Sequence, residues 1–240
     1  MTQNPDGHQH PLTQMIAEIN SIFAEIGFMF AEGPEAETEY YNFDQLNVPK
    51  DHPSRDMQDT FWFKSKDVSS PTVLRTQTSA VQVHYMEDNE PPIRIIVPGK
   101  VFRNETTDAT HEAQFYQLEG LCVDKGIHLG HLKGVLEHFF SRFFEGESEV
   151  RFRPSFFPFV EPGVEVDMRM SGEGKLAGRW IEVMGAGMVH PNVLRNCDVD
   201  PEVYSGFAFG MGIDRLGIMK YGVEDVRDYY TGDLRFVNQF

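Results

Sequence analysis

Apolar residues recur along this chain with two different periods, and the switches between them outline its elements. Over residues 11–26, Leu12, Met15, Ile16, Ile19, Ile22, Phe23 and Ile26 fall at helical spacing, and Gly27 follows where a helix C-terminal cap belongs. Residues 128–144 repeat that pattern, with Leu129, Leu132, Leu136, Phe139, Phe140 and Phe143 on one side. Elsewhere the period is two. Residues 93–97 (IRIIV) read as a strand, turned at Pro98-Gly99-Lys100 into a stretch closed by Arg103. A polar loop over residues 104–112 then leads to a returning strand. On it Phe115, Gln117, Glu119 and Leu121 share one face, and Tyr116, Leu118 and Cys122 the other. Residues 164–170 and 180–184 form a hairpin across the polar turn 171–178.

The remaining segments are less regular. Residues 28–41 pass from apolar to acidic, predicting a strand broken at Gly33-Pro34 and then a short helix. Residues 46–62 predict an ordered polar loop closing on a strand at 61–63. The run SFFPFVEP sets a proline among Phe156, Phe157, Phe159 and Val160, which demands a bulge or a sheet edge. Together these elements predict an α+β chain, a mixed and mostly antiparallel sheet flanked by helices.

Three stretches carry candidate chemistry. Gln117 and Glu119 sit inside an apolar strand, and a buried carboxylate costs several kcal/mol unless it is paired or hydrogen-bonded. Glu119 therefore holds a cation or belongs to an internal ion pair, and the strand alone leaves both open. Thr76, Gln77, Thr78, Ser79 and Gln82 cluster neutral hydrogen-bonding groups, suited either to a small polar ligand or, around Ser79, to a helix N-cap and first turn. In GFAFGMGIDRLGIMKY a glycine-rich strand end, with Gly210 and Gly212, runs into a helix whose first turn bears Asp214 and Arg215. Backbone amides and a guanidinium would converge there on an anion. The spacing is that of neither a P-loop nor a Rossmann fingerprint.

Composition narrows the partners. The 240 residues include 37 acidic and 21 basic side chains, a net charge of -16, so broad binding of a polyanion by this chain alone is disfavoured. The length suits one domain over residues 11–240 behind a short tail, 1–10. No run approaches the roughly 18 apolar residues of a membrane helix, and the opening residues lack the charged, apolar and small-residue pattern of a secretory leader, so none is expected. A soluble cytoplasmic protein is expected, with Cys122 and Cys197 as packed, reduced thiols.

The motifs are more specific together. FRNE followed by HEAQF, then RPSFFPFVEP, GMVHPNVLRN and GFAFGMGIDR, preceded by LRTQTSAVQ, resemble in this order the catalytic domain of the alpha subunits of bacterial phenylalanyl-tRNA synthetases, a class II aminoacyl-tRNA synthetase family. The likeness runs from GHQHPLTQ to DLRFVNQF. It implies the class II synthetase fold, activation of phenylalanine by ATP with Mg2+, and transfer to tRNA(Phe) within an alpha2beta2 assembly. By position, Arg103 would grip the alpha-phosphate and Arg215 the gamma-phosphate of ATP. Glu105, His111 and Phe115 would hold the rest of the nucleotide, along with Gly210 and Gly212, and Glu182 would lie near its metal. Gln77, Thr78, Ser79, Gln82, Gln117 and Glu119 match the wall that binds the amino and carboxylate groups of phenylalanine. Phe157 and Phe159 match the pair contacting its ring, Val160 and Ala208 the pocket floor, and Glu161 the magnesium-binding acid shared with the beta subunit.

The chain departs from the family pattern twice. The alpha subunit's N-terminal tRNA-binding helical hairpin precedes the point where this sequence starts, so tRNA contact is expected only through the full assembly. His84 stands where relatives usually carry arginine. The competing expectations are a synthetase-like paralogue adenylating another acid, and a non-catalytic subunit that keeps the fold.

Overall fold

A computed structural model describes residues 8–52, 60–64, 72–104, 106–171 and 177–240. Its centre is a seven-stranded sheet. In chain order the strands and helices are α1 (Pro11–Glu25), β1 (Met29–Phe30), β2 (Ala36–Thr38), one π-helical turn (Tyr40–Asp44), β3 (Thr72–Leu74), α2 (Ser79–Asp88), β4 (Ile93–Phe102), β5 (Gln114–Asp124), α3 (Leu129–Phe143), β6 (Ser148–Phe157), β7 (Val160–Met170), β8 (Ile181–Val189), α4 (Pro191–Asn196), β9 (Ser205–Gly212), α5 (Ile213–Tyr221) and α6 (Leu234–Val237). The large sheet has the order β1-β4-β5-β9-β8-β7-β6, antiparallel throughout except for the β1–β4 pair, while β2 and β3 form a separate ribbon.

The two long helices lie where the 3.6-residue period puts them. The chain leaves α1 through Gly27, whose φ of 81° a side chain would strain. His128 caps α3, accepting the Gly130 N–H on Nδ1 at 3.1 Å. Both helices press on one face of the sheet with α5, and aromatic rings fill the seam. Phe23 stacks on Phe139 and on Phe209, at 5.0 and 5.6 Å between centroids. A second apolar layer covers the opposite face, where α2, α4 and the π-turn supply Val81, Val83, Met86, Phe43, Val193 and Leu194.

In β9 the period-two rule divides labour between these faces. Phe207, Phe209 and Met211 point into the aromatic layer, whereas Ala208 turns to the other side, followed by Gly210 and Gly212. Strand β8 does the same, with Met184, Ala186 and Met188 on the aromatic side. That leaves Gly185 and Gly187 alternating onto the face with Ala208, their cross-strand neighbours in β9 being Gly210 and Ala208.

Several expectations are corrected. Pro98-Gly99-Lys100 is no turn, because β4 continues through it and Pro98 lies opposite Leu118. Ile96 accepts from Ala31 and Phe102 donates to Arg75, so even-numbered residues of β4 direct their backbone groups away from β5. Strand β1 pairs only at Ile95 and Ile96, so the missing N–H of Pro98 costs no ladder bond. The strand expected at 61–63 is a single bridge between Trp62 and Val73. The short helix expected within 28–41 is the later π-turn, and β2 takes part of the acidic run. In the SFFPFVEP run the proline needs neither a bulge nor an edge: Pro158 lies outside both strands, in the two-residue turn 158–159 that joins β6 to β7, and the register shift falls before it, between Ser155 and Phe157. Among the described residues no helix is long and apolar enough to cross a membrane. Cys122 and Cys197 are free and buried, and burial pushes the Cys197 thiol up to about 12.

Phe139 is fully buried against Phe23, Phe140 and Phe143. Phe139→Ala should cost about 3–5 kcal/mol, read as a lower urea midpoint at unchanged m-value.

Candidate active site

On the face left bare by β8 and β9 lies a cavity of about 240 Å³. Its floor is short of side chains because Gly185 and Gly210 are cross-strand neighbours. A Cβ on Gly185 would stand 2.8 Å from Phe157 Cζ, and one on Gly210 would stand 3.2 Å from Glu119 Cγ. Gln77, Ser79, Gln82, Arg103, Gln117 and Glu119 form a polar wall. Phe157, Phe159, Val160 and Ala208 form an apolar one, the two rings stacked at 6.0 Å. Segments far apart in sequence close the cavity with Leu46, Val48, Met86, Leu121, Val189 and Val193.

Strand β5 sets the order of these groups. Leu121 lies beside Ala208, Glu119 beside Gly210 and Gln117 beside Gly212. Successive members of that face are about 7 Å apart, so the wall grades from apolar at Leu121, through Glu119, to Arg103 and Phe115 roughly 20 Å away. At that far end the Arg103 guanidinium carbon lies 5.1 Å from the centre of the Phe115 ring.

Glu119 is almost wholly buried, and the donors that hold it are neutral. Thr78 N–H donates to Oε1 at 3.1 Å, Gln82 Nε2 to the other oxygen at 3.2 Å, and the Ser79 hydroxyl donates to it as well. Loss of hydration pushes the carboxyl up to about 7. The bonds from Ser79 and Thr78, and the charges of Arg103 and Arg75 acting through space, only partly offset that. Two residues along the strand, Gln117 Oε1 is buried without a hydrogen-bond partner. Thr78 completes the wall from behind, its hydroxyl donating to the Val97 carbonyl at 3.0 Å. Thr78, not Ser79, is the N-cap of α2, and its side chain caps nothing; Ser79 serves Glu119 instead.

Other sequence-selected residues lie outside this cavity. Arg215 stands at the start of α5, its Cβ beside Gly212, and Nη2 donates to the Glu182 carbonyl at 2.8 Å. Asp214, the other charged residue in that first turn, points inward and accepts the Tyr116 N–H at 2.7 Å and the Tyr230 hydroxyl. Burial pushes its carboxyl up to about 6 despite those bonds. His111 is exposed in the β4–β5 loop, Nδ1 lying 3.1 Å from Asp108. Hydrogen bonds, first from Thr110, hold the Asp108 carboxyl below the usual range. Glu105 lies outside the described residues. Glu182 takes Arg153 at 2.9 Å, and Glu161, largely exposed, lies 3.1 Å from His190 Nε2. Neither approaches the other in a shared cage, and among the described residues no group of three or more His, Cys, Asp or Glu is placed to hold a metal ion. His84 is 2.8 Å from Glu37, with its ring on Tyr41.

Sequence reasoning found Ser79 and Gln82 of α2 but missed Met86 of the same helix, Val193 of α4, and Leu46 and Val48 of the loop after the π-turn. Only Gly185-Ala186-Gly187 carried a usable signal, since two glycines on one face of a strand mark a close approach. Leu46, Val48, Met86 and Val193 read as ordinary core.

A mostly antiparallel sheet with long helices packed on one face and, on the other, a ligand-sized cavity walled in part by shorter helices defines a class. Residues 1–240 match the model of the tRNA synthetases class II core domain (F). The crystal structure of pyrrolysyl-tRNA synthetase from Desulfitobacterium hafniense superposes with a TM-score of 0.71 over 93% of this chain and 74% of that one. At 17% identity it shows the class II fold alone. The particular relatives are closer. The phenylalanine--tRNA ligase alpha subunit of Alkaliphilus metalliredigens is 58% identical over 98% of this chain and 69% of its own length, and that of Klebsiella pneumoniae 55% over 98% and 68%. The chain belongs to the phenylalanine--tRNA ligase alpha-subunit family.

Because the native carboxyl of Glu119 binds its proton more tightly than the unfolded one, its contribution to stability is complete below pH 4.5 and is lost as pH rises through about 7. Subtracting the pH–stability curve of Glu119→Gln from that of the unmodified protein should leave a fall of at most about 3 kcal/mol across this window. Thermal unfolding at a series of pH values checks it.

Proposed function

We propose that the chain activates L-phenylalanine with ATP, releasing pyrophosphate and forming phenylalanyl-adenylate, and that with a beta subunit it passes the phenylalanyl group to tRNA(Phe). The observation that carries this reading is the pair of buried acceptors on the polar wall of a cavity whose facing wall is apolar. The Glu119 carboxylate and the unpartnered Gln117 Oε1 both ask for a donor, and Glu119 asks for a positive one. An α-ammonium supplies both. The ring then lies towards Phe157, Phe159, Val160 and Ala208, a wall suited to edge contacts with a third aromatic ring.

Along β5 the carboxylate of such a substrate points from Glu119 towards Arg103. There its oxygen attacks the alpha-phosphorus, the bond to the pyrophosphate oxygen breaks, and no proton has to be removed. A nucleophile–base pair is therefore not required. Catalysis consists of alignment and of fixed positive charge opposite the charge that develops on phosphorus oxygens. Arg103 supplies it at the alpha-phosphate and Arg215, held by the Glu182 carbonyl, at the far end of the triphosphate. Phe115, Gly210, Gly212 and His111, with Glu105, complete the nucleotide side.

Glu161 and Glu182 do not by themselves fit a resident metal, since they lie apart and face His190 and Arg153. Magnesium accompanies the nucleotide in this reading, and no step is derived through it. Contact with tRNA(Phe) comes through the alpha2beta2 assembly, in keeping with the net charge of -16.

Phenylalanine-dependent exchange of pyrophosphate into ATP, measured on the chain with its beta subunit, tests the reading. Arg103→Ala and Arg215→Ala should each slow exchange about 10²–10³-fold, the loss typical of one fixed charge at a developing anion. Exchange that is absent with phenylalanine but present with another acid would refute it.

The deep end of the cavity has no polar group to reject a para-hydroxyl, so tyrosine should be disfavoured by no more than about a hundredfold. Ala208→Gly should admit para-halogenated phenylalanines in the same assay. An unchanged substrate range would place the ring elsewhere.

A further inference from the structure

Behind the polar wall, Asn42 is fully buried in the π-turn and does not line the cavity, and both polar atoms of its side chain are engaged. Its partners all lie in residues 75–78, which join β3 to α2 with no ladder or helix of their own. Such a segment must find outside partners for its peptide groups. Arg75 N–H donates to the Glu35 carbonyl at 2.9 Å, and the Arg75 carbonyl accepts from Phe102 N–H at 2.9 Å. Asn42 holds the next residue at two points: Nδ2 donates to Thr76 Oγ1 at 3.1 Å, and Oδ1 accepts Thr76 N–H at 3.2 Å. The Asn42 backbone carbonyl accepts Gln77 Nε2 at 3.2 Å.

What Thr76 and Gln77 hold in turn gives this clamp its meaning. The Thr76 carbonyl accepts Arg103 Nε at 3.2 Å, so the direction of the guanidinium depends on the orientation of that peptide. Gln77 lines the cavity on the amino-acid side. One buried residue thus stands behind groups from both halves of the site: its side chain, through Thr76, behind Arg103, and its backbone carbonyl behind Gln77, which follows Thr76 directly in the chain. Single π-turns are frequent at functional sites, and this one brings the side chain of one residue onto Thr76 and its carbonyl onto Gln77, the next residue, which lines the cavity.

We propose that Asn42 is a positioning residue. Its side chain, through the Thr76 peptide, fixes the Arg103 guanidinium, and its backbone carbonyl holds the Gln77 amide of the next residue, so that the nucleotide and the amino acid are aligned by one clamp. The inference rests on the functional reading above and extends it to a residue that touches neither substrate. A purely structural asparagine would also be buried and bonded, but its loss would lower stability without moving both Michaelis constants.

The test is pyrophosphate exchange by the chain with its beta subunit, with kcat and the KM of each substrate measured beside the melting temperature. Asn42→Ala should raise the KM of ATP and of phenylalanine and lower kcat, with kcat/KM down about 10- to 100-fold for the lost pair of buried hydrogen bonds. Thr76→Val, which removes only the hydroxyl arm, should show the same pattern at roughly 3- to 10-fold, and Thr76→Ser should restore it. Gln82→Ala, on the amino-acid wall alone, should raise the KM of phenylalanine only. An Asn42→Ala protein that melts lower but keeps both KM values within about twofold, or that changes only one, overturns the proposal. If that variant does not fold, unchanged constants in Thr76→Val overturn it. Absence of phenylalanine-dependent exchange in the unmodified protein overturns the functional reading and this inference with it.

Discussion

A carboxylate kept out of water is the constraint around which this site is arranged. Glu119 sits in β5, an interior strand of the sheet, and its environment supplies three neutral donors and two guanidinium charges at longer range. That is enough to tolerate the group and too little to keep it fully ionised near neutrality. The amino end of α2 points its first N–H at the carboxylate, and Gly210 across the ladder leaves room for the side chain to lie flat. In the proposed reading the substrate ammonium supplies the missing charge, and the carboxylate's affinity for a cation comes from the same desolvation that raises its pKa.

The strand period lets stability and function occupy opposite faces of one sheet. On the helix side β9 presents Phe207, Phe209 and Met211 to a continuous aromatic seam. On the other side the same strand presents Ala208, Gly210 and Gly212, and the room left by those small residues is the cavity. A one-residue slip of β9 would put phenylalanine rings into the site and glycines into the core, so packing on one face enforces the shape of the other. The Asp214 carboxylate strengthens that register by tying the start of α5 to Tyr116 of β5 and to Tyr230.

Much of this was legible from residue spacing. The long helices, the β4–β5 hairpin and the alternation in GFAFGMGI could be read because the periods are uninterrupted and each face has one solvent or one core. Pro98 misled because a proline usually ends a strand. Which side its missing N–H faces depends on where β1 stops, and that is a tertiary fact. The carboxylate of Glu119 could be singled out as costly, but its partners could not be named, since Thr78, Ser79 and Gln82 arrive from a helix some forty residues earlier. Leu46, Met86, Val193 and Asn42 were invisible for the same reason. Their types are ordinary, and only proximity in the fold gives them a role. The assignments of Arg103, Arg215, His111 and Glu161 came from the family likeness, and Glu161 and His111 stand on exposed surfaces away from the cavity.

The central claim is that Glu119 exists to receive a substrate ammonium. Calorimetric titration of the protein with L-phenylalanine and with 3-phenylpropanoate, which has the same ring and carboxylate but no amino group, tests it most directly. The account predicts clear binding of phenylalanine, at least about a hundredfold weaker binding of the desamino acid, as expected when a buried charged acceptor is left unpaired, and loss of that preference in Glu119→Gln. Equal affinity for the two ligands, or an undiminished preference in Glu119→Gln, would contradict it.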